Sequence, residues 1–323
     1  MKRSVAMLSG LRDAWRQLPA AIRRPAARSG LPYAVNFVVS YDEKHRIENF
    51  AGNLEQMKAA YRDANGIRRA ELTRQFDAIA DCLVMPNGVR KTSYADRLGR
   101  TVSTILSANR FSLPRSGIRV LDVPASTGIA SLQSYALLSE RYRIASYVLG
   151  DLYHGVLYDK RRRCVFDEQG NLLQVGSKSR YFSIHREHTS GDRYTFLSAG
   201  LLLPHSVASW CLRKRYRFQN GNGCTRQLVV HPDVERLVAE GTFRIQVMDV
   251  FRPIPGGERY DLILSFNLLQ RNYFPPATIA AGVNNLAAAL NEAGVLVMGN
   301  TESFEVLQKR GGVLTSLMCQ GSF

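Results

Sequence analysis

The sequence predicts an α/β protein built on a parallel sheet, with a helical N-terminal region before it and a strand-containing subdomain inserted into it. Three observations carry that reading. From Ile118 onward, short apolar runs alternate with stretches of helical period. Four of those runs end in a polar residue, namely Asp122, Asp151, Asp249 and Asn267. Between Asp151 and Phe243 lie about ninety residues, far more than one crossover helix needs.

The first thirty residues hold seven Lys/Arg against one acid, Asp13. Val5, Leu8, Leu11, Trp15 and Leu18 stand there at helical spacing, so this basic tail suits an anionic membrane face. An Arg-rich presequence or a disordered tail fits the same composition. Residues 31–113 read as helices. Ser40-Tyr-Asp-Glu43 has the capping-box pattern. Ile47, Phe50, Leu54, Met57 and Tyr61 follow at spacings of three and four, which predicts one helix stopped by Asn65-Gly66. Leu72, Phe76, Ile79 and Leu83 mark a second helix ending at Pro86-Asn87-Gly88, and a third is expected over about 94–108.

Strands are expected at 118–123, 145–149, 243–248, 262–266 and 295–298. A helix carrying Ile279, Val283, Leu286 and Leu290 precedes the last of them, with Gly294 at its exit. Residues 305–310 and 313–318, joined by Gly311-Gly312, form a closing antiparallel hairpin. Residues 114–154 and 226–323 thus make one domain, interrupted by the insert 155–225. Within the insert, 165–175 reads as a hairpin turning at Gly170-Asn171 and 181–185 adds a strand. The stretch 194–218 starts apolar and ends in Arg213-Lys-Arg-Tyr-Arg217; a crossover helix then appears at 232–240.

With 45% hydrophobic and 22% charged residues, the chain has the composition of a globular protein. No apolar run approaches the roughly eighteen residues of a membrane span. Five scattered cysteines without a CxxC pair argue against a disulfide framework or zinc site and point to the cytoplasm. His185 and His188 lack a third ligand nearby, so no metal is expected. The net charge of +16 is concentrated: residues 155–219 hold twelve Lys/Arg against five acids, and 1–30 most of the remaining excess. Such segments attract polyanions, and 1–30 with 194–218 are the expected peripheral contacts with an anionic membrane.

Ile118-Arg-Val-Leu-Asp-Val-Pro-Ala-Ser-Thr-Gly128 is an apolar strand, an acid and a small-residue loop closed by glycine, leading into a helix-compatible segment. It resembles motif I of class I S-adenosylmethionine-dependent methyltransferases, with Pro124 and Ser126 at the first two glycine positions and Gly128 at the third. That resemblance implies a Rossmann-like class I methyltransferase sheet, here with the helical N-terminal region and the inserted β-containing subdomain read above. A nicotinamide-dependent fold would ask for Gly-x-Gly-x-x-Gly, which Pro124-Ala-Ser-Thr-Gly128 does not supply. Residues 118–151 and 243–303, with Ser126-Thr127-Gly128 and Asn267 ahead of Tyr273-Phe274, also resemble the CheR-type chemotaxis-receptor glutamate methyltransferases. Ile129-Ala130-Ser131 stands where that family has Glu-Glu-Pro.

Ligands of open α/β sheets bind outside the carboxyl ends of the strands. The residues expected to hold S-adenosylmethionine are accordingly Asp122, Pro124, Ser126 and Gly128 of the motif, Asp151 for the ribose hydroxyls, Asp249 with Val250 for the adenine edge, and Asn267 beside the sulfonium. Because a sulfonium is already activated, alignment accounts for much of the rate. If a base is needed, Tyr273, His154, His205 and His231 are the candidates by type. The expected acceptor is a small molecule, a glycan or a lipid-linked precursor. Base methylation of nucleic acid is disfavoured, since Asn267-Leu-Leu-Gln270 replaces the Asn/Asp-Pro-Pro-aromatic signature. A CheR-like protein carboxyl methyltransferase and a non-catalytic binding module on the same fold are the alternatives.

Overall fold

The computed structural model describes residues 45–91, 98–108, 110–114, 116–185, 196–219, 223–271, 273–300 and 303–321, with the backbone alone given for 196–204. The basic tail 1–30 and the capping box at Ser40–Glu43 lie outside these residues. Contacts group the described chain into two compact units. One holds 45–59, Arg74–Arg90 and Val156–Gln227; the other holds Ala60–Thr73, Lys91–Gly155 and the chain from Leu228 onward. The described residues of 31–113 are therefore divided between the two units.

The second unit is built on a seven-stranded sheet. Its strands are β1 (Ile118–Asp122), β2 (Ile144–Asp151), β8 (Phe243–Val247), β9 (Tyr260–Phe266), β10 (Leu290–Gly299), β11 (Phe304–Arg310) and β12 (Val313–Gln320). Their spatial order is β12-β11-β10-β9-β1-β2-β8. The run from β8 through β2, β1 and β9 to β10 is parallel, and β11 and β12 close the sheet as the expected antiparallel hairpin. Alternate residues feed two separate cores, as expected for a sheet covered on both faces. Val120, Leu149, Leu264 and Val297 face helices α3 (Gly99–Ala108), α4 (Ile129–Ser139) and α6 (Pro232–Ala239). Leu121, Val148, Ile263 and Leu296 face Leu286 and Ala289 of α7 (Pro276–Ala289). This is a Rossmann-like α/β fold.

The first unit contains a five-stranded sheet ordered β6-β5-β4-β3-β7. Its strands are β3 (Gly155–Asp159), β4 (Cys164–Asp167), β5 (Leu172–Gly176), β6 (Tyr181–Ser183) and β7 (Cys224–Leu228). Cys164, Phe166, Leu172 and Ile184 form its core, with Leu212, Tyr216 and Phe218 packed on them at the end of helix α5 (Phe196–Arg215). Gln174 ties helical residues to this sheet: its Oε1 accepts the Ala51 N–H at 3.1 Å and its Nε2 donates to the Cys82 carbonyl at 3.0 Å. All five cysteines are free, and burial pushes the Cys164 thiol up to about 12.

Three element boundaries differ from the sequence expectation. The single helix expected from Ile47 is broken into two 3-10 turns, Ile47–Asn49 and Ala51–Asn53, before α1 (Leu54–Arg62) begins. Phe50 between the turns is extended and fully buried, edge-on to Tyr158 at 5.8 Å, so packing of one ring outweighs the helical period. Asn65-Gly66, read as a stop, opens the next helix, α2 (Gly66–Asp81). Gly294 lies within β10, inside the irregular register between Leu290 and Val295, because α7 already ends at Ala289.

Candidate functional site

The chain runs from β1 outward through β2 to β8, then returns to the other side of β1 as β9. Strand order therefore reverses between β1 and β9, and the loops after those two strands flank the crevice where such folds bind ligands. Asp122, Asp151 and Asn267 lie at the carboxyl ends of β1, β2 and β9, and Asp249 two residues beyond β8.

The loop after β1 is pinned by its own backbone. Val123-Pro124 is a cis peptide bond. The Ala125 N–H donates to the Gly150 carbonyl at 2.8 Å, the Gly128 N–H to the Ala125 carbonyl at 2.8 Å, and the His231 N–H to the Thr127 carbonyl at 2.9 Å. Gly128 is left-handed (φ 76°), and a Cβ there would meet Val234 at 3.0 Å, so glycine both makes the turn and lets α4 pack against α6. Ser126 is also left-handed (φ 52°), at the position where the motif carries its second glycine. Replacing Ser126 by Gly is expected to relieve that torsion and raise stability by about 1 kcal/mol, measured as a shift in urea midpoint. A loss of stability would instead assign the Ser126 hydroxyl a holding role. The side-chain oxygens of Ser126 and Thr127 are buried and make no hydrogen bond in the described structure.

Asp151 is the hub of the site. Its Oδ1 accepts from the Lys91 ammonium at 2.5 Å and from the Tyr153 N–H at 3.0 Å, and its Oδ2 accepts from the Ser126 N–H at 2.8 Å. Both members of the ion pair are buried, with side chains 5% and 8% exposed. The carbonyl of Asp151 also takes the Met248 N–H, which fastens the end of β2 to the start of the loop after β8. Gly150 is required beside it, since a Cβ would lie 2.6 Å from the Met248 sulfur. Asp122 is buried too, and the Tyr147 hydroxyl donates to its Oδ2 at 3.3 Å. Burial raises the Asp122 carboxyl to about 6, the neighbouring Asp151 adding a smaller push in the same direction. Tyr147 is driven well above the ordinary phenol range, first by its own burial and then by Asp122.

The remaining expected residues are placed less centrally. Asp249 closes its own turn, accepting the Phe251 N–H at 3.0 Å with Arg252 Nε 3.6 Å away. Val250 is buried among Leu121, Val123 and Met248, as a packing residue of the sheet. Asn267 is left-handed (φ 60°); its N–H donates to the Gly299 carbonyl at 2.7 Å and its Oδ1 faces Gln270 Nε2 at 3.4 Å. Of the candidate bases, Tyr273 is half-exposed (48%) in the loop after β9. His154 is buried, with Nε2 3.0 Å from the Gln246 carbonyl. His231 caps α6, its Nδ1 accepting the Asp233 N–H at 3.3 Å. His205 belongs to the other unit, with Nε2 2.9 Å from the Ser183 carbonyl. Among the described residues no group of three His, Cys, Asp or Glu is arranged to hold a metal, and no helix is long and apolar enough to cross a membrane.

Lys91 is the site residue that sequence reasoning missed. It lies 60 residues before Asp151, next to Arg90 in a stretch with no motif, and no local pattern marks it.

No protein-family model matches the chain, and no curated protein matches it. Solved structures do align with it. A putative protein-L-isoaspartate O-methyltransferase from Plasmodium falciparum is 12% identical, over 86% of this chain and 96% of that one, with a TM-score of 0.31. An O-methyltransferase family protein from Burkholderia thailandensis is 12% identical over 72% of this chain and 42% of that one, with a TM-score of 0.29. The [4+2]-cyclase SpnF is 13% identical over 62% and 44%, with a TM-score of 0.27. The chain thus spans less than half the length of the last two. At these values the likeness carries no functional weight, and the Rossmann-like α/β fold stands on the order and direction of its own strands.

Proposed function

We propose that the chain binds S-adenosylmethionine at the carboxyl ends of β1, β2, β8 and β9 and transfers a methyl group to an oxygen or nitrogen of a small-molecule, glycan or lipid-linked acceptor. The observation that carries this reading is the Ser126-Thr127-Gly128 loop, hydrogen-bonded to Asp151 at the point where strand order reverses. Two orphaned hydroxyls, Ser126 Oγ and Thr127 Oγ1, add polar groups still lacking a partner to that loop. When bound, the sulfonium would supply an activated methyl group. The protein's share is then to hold the donor: Asp151 for the ribose, the start of α4 for the carboxylate end, Asp122 behind the loop, Asn267 on the opposite wall. Tyr273, exposed in the loop after β9, is the candidate to hold or accept an acceptor proton.

A second reading is a binding module that has kept the fold without the reaction. It is favoured by one observation: three donors already engage the Asp151 carboxylate, Lys91 among them, so a ribose diol must displace the ammonium or share what is left. Calorimetry of the full chain with S-adenosylmethionine separates the readings at the first step. Binding in the micromolar range is expected; no heat and no thermal shift at millimolar ligand would sink the methyltransferase reading. Binding without any methyl label passing to added acceptors or to protein would leave the module.

A further inference from the structure

The unit that holds β3 to β7 contains a cleft of about 450 Å³ between the β4–β5 turn and the end of α5. Arg213, Arg217, His185, Tyr216, Phe218 and Asn171 line it, with the turn backbone at Gln169 and Gly170. Its walls are fixed by packing. Phe218 lies against Gly170, where a Cβ would come within 3.0 Å of its ring, and stacks edge-on to Phe166 at 5.4 Å. Arg162 donates to the Arg217 carbonyl at 3.0 Å, holding the chain just past the helix.

Its charge is one-sided. The nearest acids are already engaged: Asp167 accepts from the Gln169 and Asn171 N–H groups and from Asn171 Nδ2, and Glu168 pairs with Arg226 at 2.6 Å. Neither Arg213 nor Arg217 has an acidic partner among the described residues. Arg213 Nη2 lies 3.4 Å from His185 Nδ1, a contact that needs the neutral ring with its proton on Nε2. That Nε2 is buried and makes no hydrogen bond of ordinary geometry. Burial first, and Arg213 second, push His185 below the usual histidine range, against weaker pulls from the Leu172 carbonyl and Asp167. Two guanidinium groups without an acidic partner, set beside two aromatic rings, define an anion site with an apolar wall.

We propose that this cleft binds a phosphate monoester with an aromatic or other apolar body, the anion held by Arg213 and Arg217 and the body against Tyr216 and Phe218. The chemistry is shared by a soluble phosphorylated metabolite and a lipid headgroup, and the test distinguishes them. Full-length protein is titrated calorimetrically with phenyl phosphate and with inorganic phosphate, and tested by flotation with vesicles of phosphatidic acid, whose headgroup is a monoester, or of phosphatidylcholine. Wild type, Arg213→Gln, Arg217→Gln and Lys214→Gln are compared; Lys214 shares the helix and the charge but sits over Trp210 at 3.9 Å, off the cleft. Phenyl phosphate is expected to bind more tightly than inorganic phosphate and to lose about tenfold in affinity in either arginine variant, with Lys214→Gln unchanged. Vesicle binding that falls with the same two arginines would make the source a lipid headgroup; no vesicle binding would make it soluble. Equal losses in all three variants, or no phenyl phosphate binding by the wild type, would overturn the proposal. The site stands independently of the methyl-transfer reading.

Discussion

Asp151→Ala is expected to lower the stability of the protein by about 3–5 kcal/mol, and Lys91→Met by less. Removing the carboxylate leaves a buried ammonium without a counter-ion and strips the Ser126 and Tyr153 N–H groups of their acceptor at the same time. Removing the ammonium leaves a carboxylate that still accepts both backbone donors, and methionine fills much of the lysine stem's volume. Urea unfolding of the two single variants and of the double variant Lys91→Met/Asp151→Ala reads the asymmetry and the coupling. Equal losses in both singles with no coupling would show that the pair is not the hub that its geometry suggests. The same variants report on ligand binding. If the ribose of S-adenosylmethionine must displace Lys91, the Lys91→Met protein should bind the cofactor about tenfold more tightly, since the pair no longer has to be broken. Weaker binding would mean that Lys91 holds the ligand itself.

The second large effect is a pH dependence. Asp122 titrates near 6 in the folded protein against 3.8 as its ordinary value, mainly because burial disfavours its ionised form. Below about pH 3 the carboxyl is protonated in both folded and unfolded chains. As pH rises through 4 to 6 the unfolded chain releases its proton first, so the folded state loses stability, and the loss is complete once the folded group has ionised. A displacement of this size corresponds to about 3 kcal/mol. Asp122→Asn cannot ionise, so its stability relative to wild type should rise by about that amount between pH 3 and pH 7.5. Comparing variant with wild type cancels the opposing contributions of carboxylates held below their usual range, such as Glu258 beside Arg244. Asp77, raised to about 6 by burial in α2, should contribute in the same direction, and Asp77→Asn serves as the parallel case. A difference between Asp122→Asn and wild type that does not change with pH would remove the buried carboxyl from the account.

Much of the fold was legible because it is written in local periods. The alternation of Val120, Leu121, Leu149, Val148, Ile263 and Leu264 between two faces is a strand pattern with two buried sides. The acids at the strand ends could be placed because a strand running into a short polar loop has a predictable exit. Helix limits were read less well where a single side chain found a better partner than its helix. Phe50 is such a case: burial against Tyr158 and Tyr181 holds it extended between two 3-10 turns. Asn65-Gly66 shows a related failure, since the residues that end one helix equally well begin the next.

By itself the sequence determined the elements and the polarity of their ends: strands from alternation, turns from glycine, asparagine and proline, and the run of Asp122, Asp151, Asp249 and Asn267. Tertiary structure alone decided the strand order and the place where it reverses, the left-handed backbone of Ser126, and the partition of the N-terminal helices between two units. It also decided that Lys91 meets Asp151. The physical reason is range. A period of two or 3.6 residues is fixed by the backbone and recorded in neighbours. An ion pair closed across 60 residues depends on the whole sheet having formed around it, and nothing in the residues beside Lys91 or Asp151 records that it will be made.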